Sequence, residues 1–180
     1  MGGYAPLVLF TAVAVLAFLV MEPVTYLSHR FVMHGLAERI HRSHHVPGAG
    51  RWEANDAFPV VFSSVAMVAT MAAYQGWASR LVLAVVAGVS AYGLLYALVH
   101  DVYIHRRVPL FRHRIAALER LAAAHRIHHL YQGEPFGMLF PVVPATLRER
   151  AAATERDPLQ PGALASSASG LRPPHVPSAP

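Results

Sequence analysis

The sequence predicts an all-α integral membrane protein, a small bundle of about three to four transmembrane helices. Two observations carry this prediction. The chain is poor in charge and rich in long apolar runs, and its histidines gather in matched groups beside those runs. Of its 180 residues, 54% are hydrophobic and only 14% are charged, where soluble domains average about 25% charged. The length suits one domain. Cysteine is absent, which excludes a disulfide framework, a thiolate zinc site and an iron–sulfur cluster. Any metal must therefore be held by nitrogen and oxygen.

The net charge is +5 and every basic residue is arginine. A basic chain raises the question of nucleic acid. The arrangement argues against it, because the arginines are scattered among histidines between apolar spans and form no basic helix.

Pro6 to Leu27 is an apolar run broken only near its end by Glu22 and Pro23. About 20 apolar residues cross a hydrocarbon core of about 30 Å. With no positive leader and no clear small-x-small cleavage site, the run reads as a retained helix rather than a signal peptide. Ala57 to Trp77 and Leu81 to Val99 are two further runs of spanning length. The link Ala78-Ser79-Arg80 makes them an antiparallel hairpin. Pro59 falls in the first turn of the second run, where proline is tolerated. Phe136 to Val143 is too short to span and reads as a re-entrant or interfacial segment. Arg112 to Leu130 reads as an amphipathic helix, with Ile115, Leu118, Ala122, His125 and His129 at three- and four-residue steps. Residues 1–150 are thus expected to form one membrane-embedded domain. Residues 151–180, rich in Ala, Pro and Ser, are expected to form a disordered tail.

These runs fix a topology. The histidine-bearing ends of all three spans face one side. Fourteen of the fifteen arginines fall on that side and only Arg80 on the other. The positive-inside rule makes that side cytoplasmic, with the N-terminus outside and the histidines and C-terminus inside.

Ten of the twelve histidines form four groups. His29 and His34 are spaced H-x4-H, and His41, His44 and His45 are H-x2-H-H. The pattern then repeats in His100 and His105, and in His125, His128 and His129. On an α-helix, residues i, i+3 and i+4 share a face, so each H-x2-H-H group can aim its rings into one cavity. Residues five apart diverge by roughly 140° on a regular helix. Either the helix loosens at the H-x4-H pairs or their rings approach the site from different sides. Ten imidazoles on one membrane face exceed the need of one metal and fit two. Imidazole suits Fe, Cu, Zn and Ni, and iron is favoured by a site beside hydrocarbon that suits O2 activation. His113 and His175 stand outside the groups and read as ordinary histidines. Metal-bound histidines usually donate their second N–H to a carboxylate or carbonyl, and Asp56, Asp101, Asn55 and Glu22 are the candidate acceptors. Asp56 also reads as a helix cap, and Glu22 as an interfacial residue paired with an arginine. Tyr26, Phe31, Tyr92, Tyr96 and Phe136 are candidates to line a substrate channel.

The four groups resemble the histidine boxes of the membrane fatty acid hydroxylase/sterol desaturase superfamily. Between them, the text is similar to one branch, the bacterial β-carotene 3-hydroxylases. The resemblance rests on His41-Arg42-Ser43-His44-His45 with Pro47, Gly50, Glu53 and Asn55-Asp56. It continues in Tyr92-Gly93-Leu94-Leu95-Tyr96 with Val99-His100-Asp101 and His105-Arg106-Arg107. It ends in Ala124-His125-Arg126-Ile127-His128-His129 and in Phe136-Gly137 with Phe140. The resemblance implies a non-haem di-iron monooxygenase of a bacterial inner membrane. Such an enzyme hydroxylates C3 of β-ionone rings, taking β-carotene through β-cryptoxanthin to zeaxanthin. It implies two iron ions held by the ten histidines, O2 as cosubstrate, electrons from ferredoxin or a related donor, and a lipid-soluble carotenoid substrate drawn from membrane lipid. A sterol or fatty acid hydroxylase or desaturase, a carotenoid ketolase and a non-catalytic membrane metal-binding protein are the rival expectations.

Overall fold

The structure is a computed structural model and describes residues 5–46, 52–111 and 113–159. Among the described residues all regular structure is helical. The first rod is α1 (Ala5–Leu27), continued without a break by a π-helical segment (Ser28–Leu36). A short α2 (Glu38–His45) turns off it. One 3₁₀ turn (Ala54–Asp56) leads into α3 (Ala57–Tyr74). The third rod is α4 (Leu81–Ala97), which also runs on as a π-helical segment (Leu98–Ile104). Then come α5 (Ala116–Tyr131) and α6 (Ala145–Ala152).

Among the described residues three helices are long and apolar enough to cross a membrane: Ala5–Leu36, Ala54–Tyr74 and Leu81–Ile104. The 23 residues of α1 alone are about 34 Å long, enough for a hydrocarbon core of about 30 Å. The outer faces match that surrounding. In α1 no residue is buried, and Leu7, Val8 and Leu16 are all more than half exposed. The same holds for Val61, Val65 and Met67 on α3. Pro23 lies inside α1, and Pro59 in the first turn of α3.

The third rod is the centre of the bundle, packing against α1 on one side and α3 on the other. The α1–α4 contact depends on Gly88. A Cβ there would meet the Ala14 carbonyl oxygen at 2.1 Å and the Phe18 amide nitrogen at 2.9 Å. Backbone cannot yield as a side chain tip does, so the rods must separate. Gly88→Ala is expected to destabilise the protein by about 1–3 kcal/mol. Thermal unfolding in detergent measures this, and an unchanged midpoint would contradict the packing.

The helices correct the expected boundaries in two places. The first rod does not stop before His29 but carries His29 and His34, through Leu36, and the third carries His100, through Ile104, with His105 as its C-cap. The amphipathic helix expected from Arg112 begins at Ala116. Residue 112 lies outside the described residues, and Ile115 is extended, with φ −107° and ψ 112°. Its backbone is held there by Tyr103, whose hydroxyl accepts from the Ile115 amide at 2.8 Å. Residues 151–159, within the expected tail, include the end of α6 and are bound by Arg126. Its guanidinium donates to the carbonyls of Ala151, Thr154 and Arg156. The rest of that tail, 160–180, lies outside the described residues.

Candidate metal centre

The two π-helical segments decide the question left open by the H-x4-H spacing. A π-turn hydrogen bond joins residues i and i+5, which brings side chains five apart onto nearly the same face. The His105 amide donates to the His100 carbonyl at 2.9 Å, and the Ala37 amide to the Val32 carbonyl at 2.7 Å. The helix loosens at the histidines, and the rings of His29 and His34 sit 5.1 Å apart. Those of His100 and His105 sit 4.6 Å apart.

All ten histidines of the four groups converge. They sort into two sets by which ring nitrogens approach one another. The first is His29, His34, His41, His45 and His128, and the second is His44, His105, His125 and His129. His100 belongs with the second, its Nε2 lying 3.1 Å from that of His44. The sets adjoin, with the rings of His45 and His129 4.4 Å apart. Each set draws from both halves of the sequence pattern, so neither box pair owns one position. His113 is exposed and takes no part, and His175 lies outside the described residues.

The donor chemistry fits metal ions. His29 donates Nδ1–H to the Phe136 carbonyl at 3.0 Å and His128 to the Gly133 carbonyl at 2.6 Å. His41 donates to Asn55 Oδ1 at 2.7 Å, His44 to Glu53 at 3.1 Å and His100 to Asp101 at 2.9 Å. The proton is assigned to Nδ1 because each of these acceptors has none to give. Nε2 is then a bare lone pair. Yet Nε2 of His29 lies 3.1 Å from that of His41, and Nε2 of His100 lies 3.1 Å from that of His44. Bare lone pairs repel at this separation unless a cation lies between them. Two nitrogens bound to one metal at about 2.1 Å and at right angles are about 3 Å apart. Burial adds to this. His128 is wholly buried, and His125 and His129 nearly so. Burial, reinforced by neighbouring imidazoles, holds His105, His125, His128 and His129 well below the usual histidine range. Burial likewise pushes His41 down to about 4. Neutral imidazole is the form a metal requires.

The residues expected to support the histidines divide. Asn55 and Asp101 do so directly. Asp56 does not: it binds Arg107 through both oxygens, at 2.5 and 2.7 Å, and accepts from the Glu53 amide at 3.0 Å, in a capping box. It is not the N-cap of α3 by its side chain but the third residue of that box, and Arg107 ties the turn to the chain just after the third rod. Glu22 is also one step removed. It accepts from the amides of Met138, Leu139 and Phe140 and from the Tyr92 hydroxyl at 2.6 Å. A residue within a membrane span thus anchors the irregular segment whose Phe136 carbonyl orients His29. Gly137 permits the approach, since a Cβ there would meet Glu22 Oε1 at 2.8 Å. Glu53 was not among the expected acceptors. Its place three residues before Asp56 marks it as the first member of a capping box, and the folded turn sets its carboxylate on His44 of α2. The Phe136 and Gly133 carbonyls have no sequence signal.

A cavity of about 600 Å³ leads away from the histidines between α1, α3 and α4. At one end it is lined by His29, His41 and His100, and further along by Phe62, Thr70 and Val86. From Phe58 to Thr70 along α3 it extends about 18 Å. Of the aromatic candidates, Tyr92 and Tyr96 line it. Phe31 is 58% exposed, and Tyr26 bonds to Glu134 beside a smaller hollow. Phe136 packs on the rings of His29, His34 and His128.

Comparison with known proteins places the sequence among relatives. The chain is 38% identical over 142 residues to a beta-carotene hydroxylase of Pseudescherichia vulneris, covering 76% of this chain and 79% of that protein. It is 40% identical over 141 residues to a beta-carotene hydroxylase of Pantoea ananas, covering 72% and 78%. A beta-carotene hydroxylase from a Paracoccus species is 38% identical over 136 residues, covering 71% and 82%. No solved structure gives a significant match. The fatty acid hydroxylase family matches residues 14–147, a stretch that contains every one of the ten converging histidines, and the chain belongs to that family.

Proposed function

We propose that this protein hydroxylates the β-ionone rings of β-carotene at C3, giving β-cryptoxanthin and then zeaxanthin. The observation that carries this reading is the apolar cleft. It opens among membrane-spanning helices and ends on histidines of both sets, His29 and His41 of one and His100 of the other. A rod-shaped hydrocarbon dissolved in the bilayer can lie along α3 and α4 with one ring at the histidines. The similarity to beta-carotene hydroxylases supports the choice of rod.

The residues that would hold the metals are the ten histidines, and two iron ions are the proposed occupants. When bound, they supply the activation of O2, with two electrons and two protons consumed for each hydroxyl formed and water as the second product. The electrons come from ferredoxin or a related donor. The chain's own residues do the positioning. Phe136 and Gly133 carbonyls, Asn55, Glu53 and Asp101 fix ring orientation and tautomer. Tyr92 and Tyr96 on α4 and Phe58 on α3 line the cleft toward the histidines, Phe62 lines it further along, and together they exclude water from it. The protein sits in the bacterial inner membrane with its N-terminus outside, and its arginine-rich, histidine-bearing face and C-terminus in the cytoplasm. Arg80, alone at the α3–α4 turn, marks the outer face.

Expression in a host that accumulates β-carotene, followed by chromatography of the pigments, tests the reaction. Appearance of 3-hydroxylated pigments supports it. An unchanged profile from folded, iron-loaded protein would sink it and favour a sterol or fatty acid substrate. The cleft has its own test. Ala66 lines it, so Ala66→Phe fills the path far from the metals. Hydroxylation should fall by about tenfold or more, while iron content stays at the wild-type level. Full activity would show that substrate does not lie along α3.

A further inference from the structure

The two histidine sets are supported by acceptors of different charge. In the first, His29 donates to the Phe136 carbonyl, His41 to the Asn55 Oδ1 and His128 to the Gly133 carbonyl, all neutral acceptors. His45 in the same set has a buried Nδ1 with no hydrogen-bond partner among the described residues. In the second, His44 donates to the Glu53 carboxylate and His100 to the Asp101 carboxylate. Asp101 also pairs with Arg107 at 3.7 Å, a guanidinium it shares with Asp56, so Glu53 is the carboxylate of the two with no arginine partner among the described ion pairs. Glu53 accepts in addition only a backbone amide of its own turn among its described bonds. His44 lies at the middle of its set, its Nε2 within 3.2 Å of those of both His100 and His129.

A carboxylate that accepts the far N–H of a ligand imidazole makes that imidazole a stronger donor, whereas a neutral carbonyl does so less. A stronger donor set stabilises the more highly charged metal. We infer that the two metal positions are inequivalent. The ion held by His44, His100, His105, His125 and His129 loses its electron first, and Glu53 and Asp101 are the positioning residues that set this order. The inference rests on the two-metal reading of the site. Its chemical content is one-electron oxidation of Fe(II) to Fe(III) at the second set while the first set stays Fe(II).

The test is a redox titration of the purified, iron-loaded full chain in detergent under argon, with ferricyanide accepting one electron per step. Mössbauer and electron paramagnetic resonance spectra follow the iron. Iron analysis of the wild type comes first, since fewer than two irons per chain would defeat the two-metal reading itself. With two irons, the inference predicts two resolved one-electron steps and an intervening Fe(II)Fe(III) state. Glu53→Gln should move the first step to higher potential, leave the second in place, and weaken one of the two iron equivalents by about ten- to a hundredfold. Asn55→Asp places a carboxylate on His41 and should move only the second step, to lower potential. Both variants therefore narrow the gap from opposite sides. A single two-electron step in the wild type would overturn the inference, as would a Glu53→Gln protein in which both steps move together. The wild-type titration decides even if one variant fails to fold.

Discussion

Replacing His128 by alanine is expected to abolish ring hydroxylation and to release iron. Among the described residues His128 is the one histidine with no exposed surface. Its ring lies 4.4 Å from that of His29 and 4.8 Å from those of His34 and His45. Its Nε2 is 3.1 Å from that of His34, and its Nδ1–H is fixed on the Gly133 carbonyl. Alanine removes a donor from the middle of the first set and leaves a void that water enters. Loss of an outer hydrogen-bond partner alone typically costs ten- to a hundredfold in metal affinity or activity, so loss of the ligand should exceed about a hundredfold. Pigment chromatography and iron analysis of the purified variant measure the two effects. Full activity would remove His128 from the site.

Glu22→Ala is expected to have the next largest effect, although Glu22 touches no histidine in the structure. Its carboxylate gathers three consecutive amides and one hydroxyl from within a helix of spanning length. A buried donor left without a partner costs about 1–3 kcal/mol. Met138 is buried and Leu139 half-buried, so the sum is at least about 2 kcal/mol. The freed segment also carries Phe136, whose carbonyl orients His29 and whose ring packs on three histidines. The unfolding midpoint and the iron content should therefore fall together. Glu22→Gln keeps one acceptor oxygen, the atom used by Met138 and Phe140, and should fall between wild type and alanine. An alanine variant with normal iron and normal stability would show that the segment holds itself.

Much of this was legible in the sequence, because hydropathy and histidine spacing are direct physical signals. Apolar runs of spanning length could only be helices in a bilayer, and they are. The i, i+3, i+4 histidines could only share a face. The H-x4-H pairs left two geometries open, and hydropathy offered no way to choose between them. The choice is made by π-turn hydrogen bonds, a backbone property that no side chain announces. The same reason hid the Phe136 and Gly133 carbonyls. Carboxylates were visible as residues but not as partners. Asp101 is adjacent to its histidine and was easily placed. Asp56 pairs with Arg107, 51 positions away, and Glu22 with a segment more than 100 positions away, distances over which a sequence gives no pairing. Glu53 lay in plain view between Asn55 and α2, but its direction depended on a cap that only the folded turn displays.

The central claim is that this chain inserts oxygen from O2 into a carotenoid ring. Mass spectrometry of the pigments formed under ¹⁸O2 tests it most directly, using the full chain in membranes supplied with β-carotene and a ferredoxin-type donor. The account predicts one ¹⁸O in every hydroxyl at C3, and none when His128 is alanine. Hydroxyls that carry only ordinary oxygen, or β-carotene left unchanged by iron-loaded protein, would contradict it.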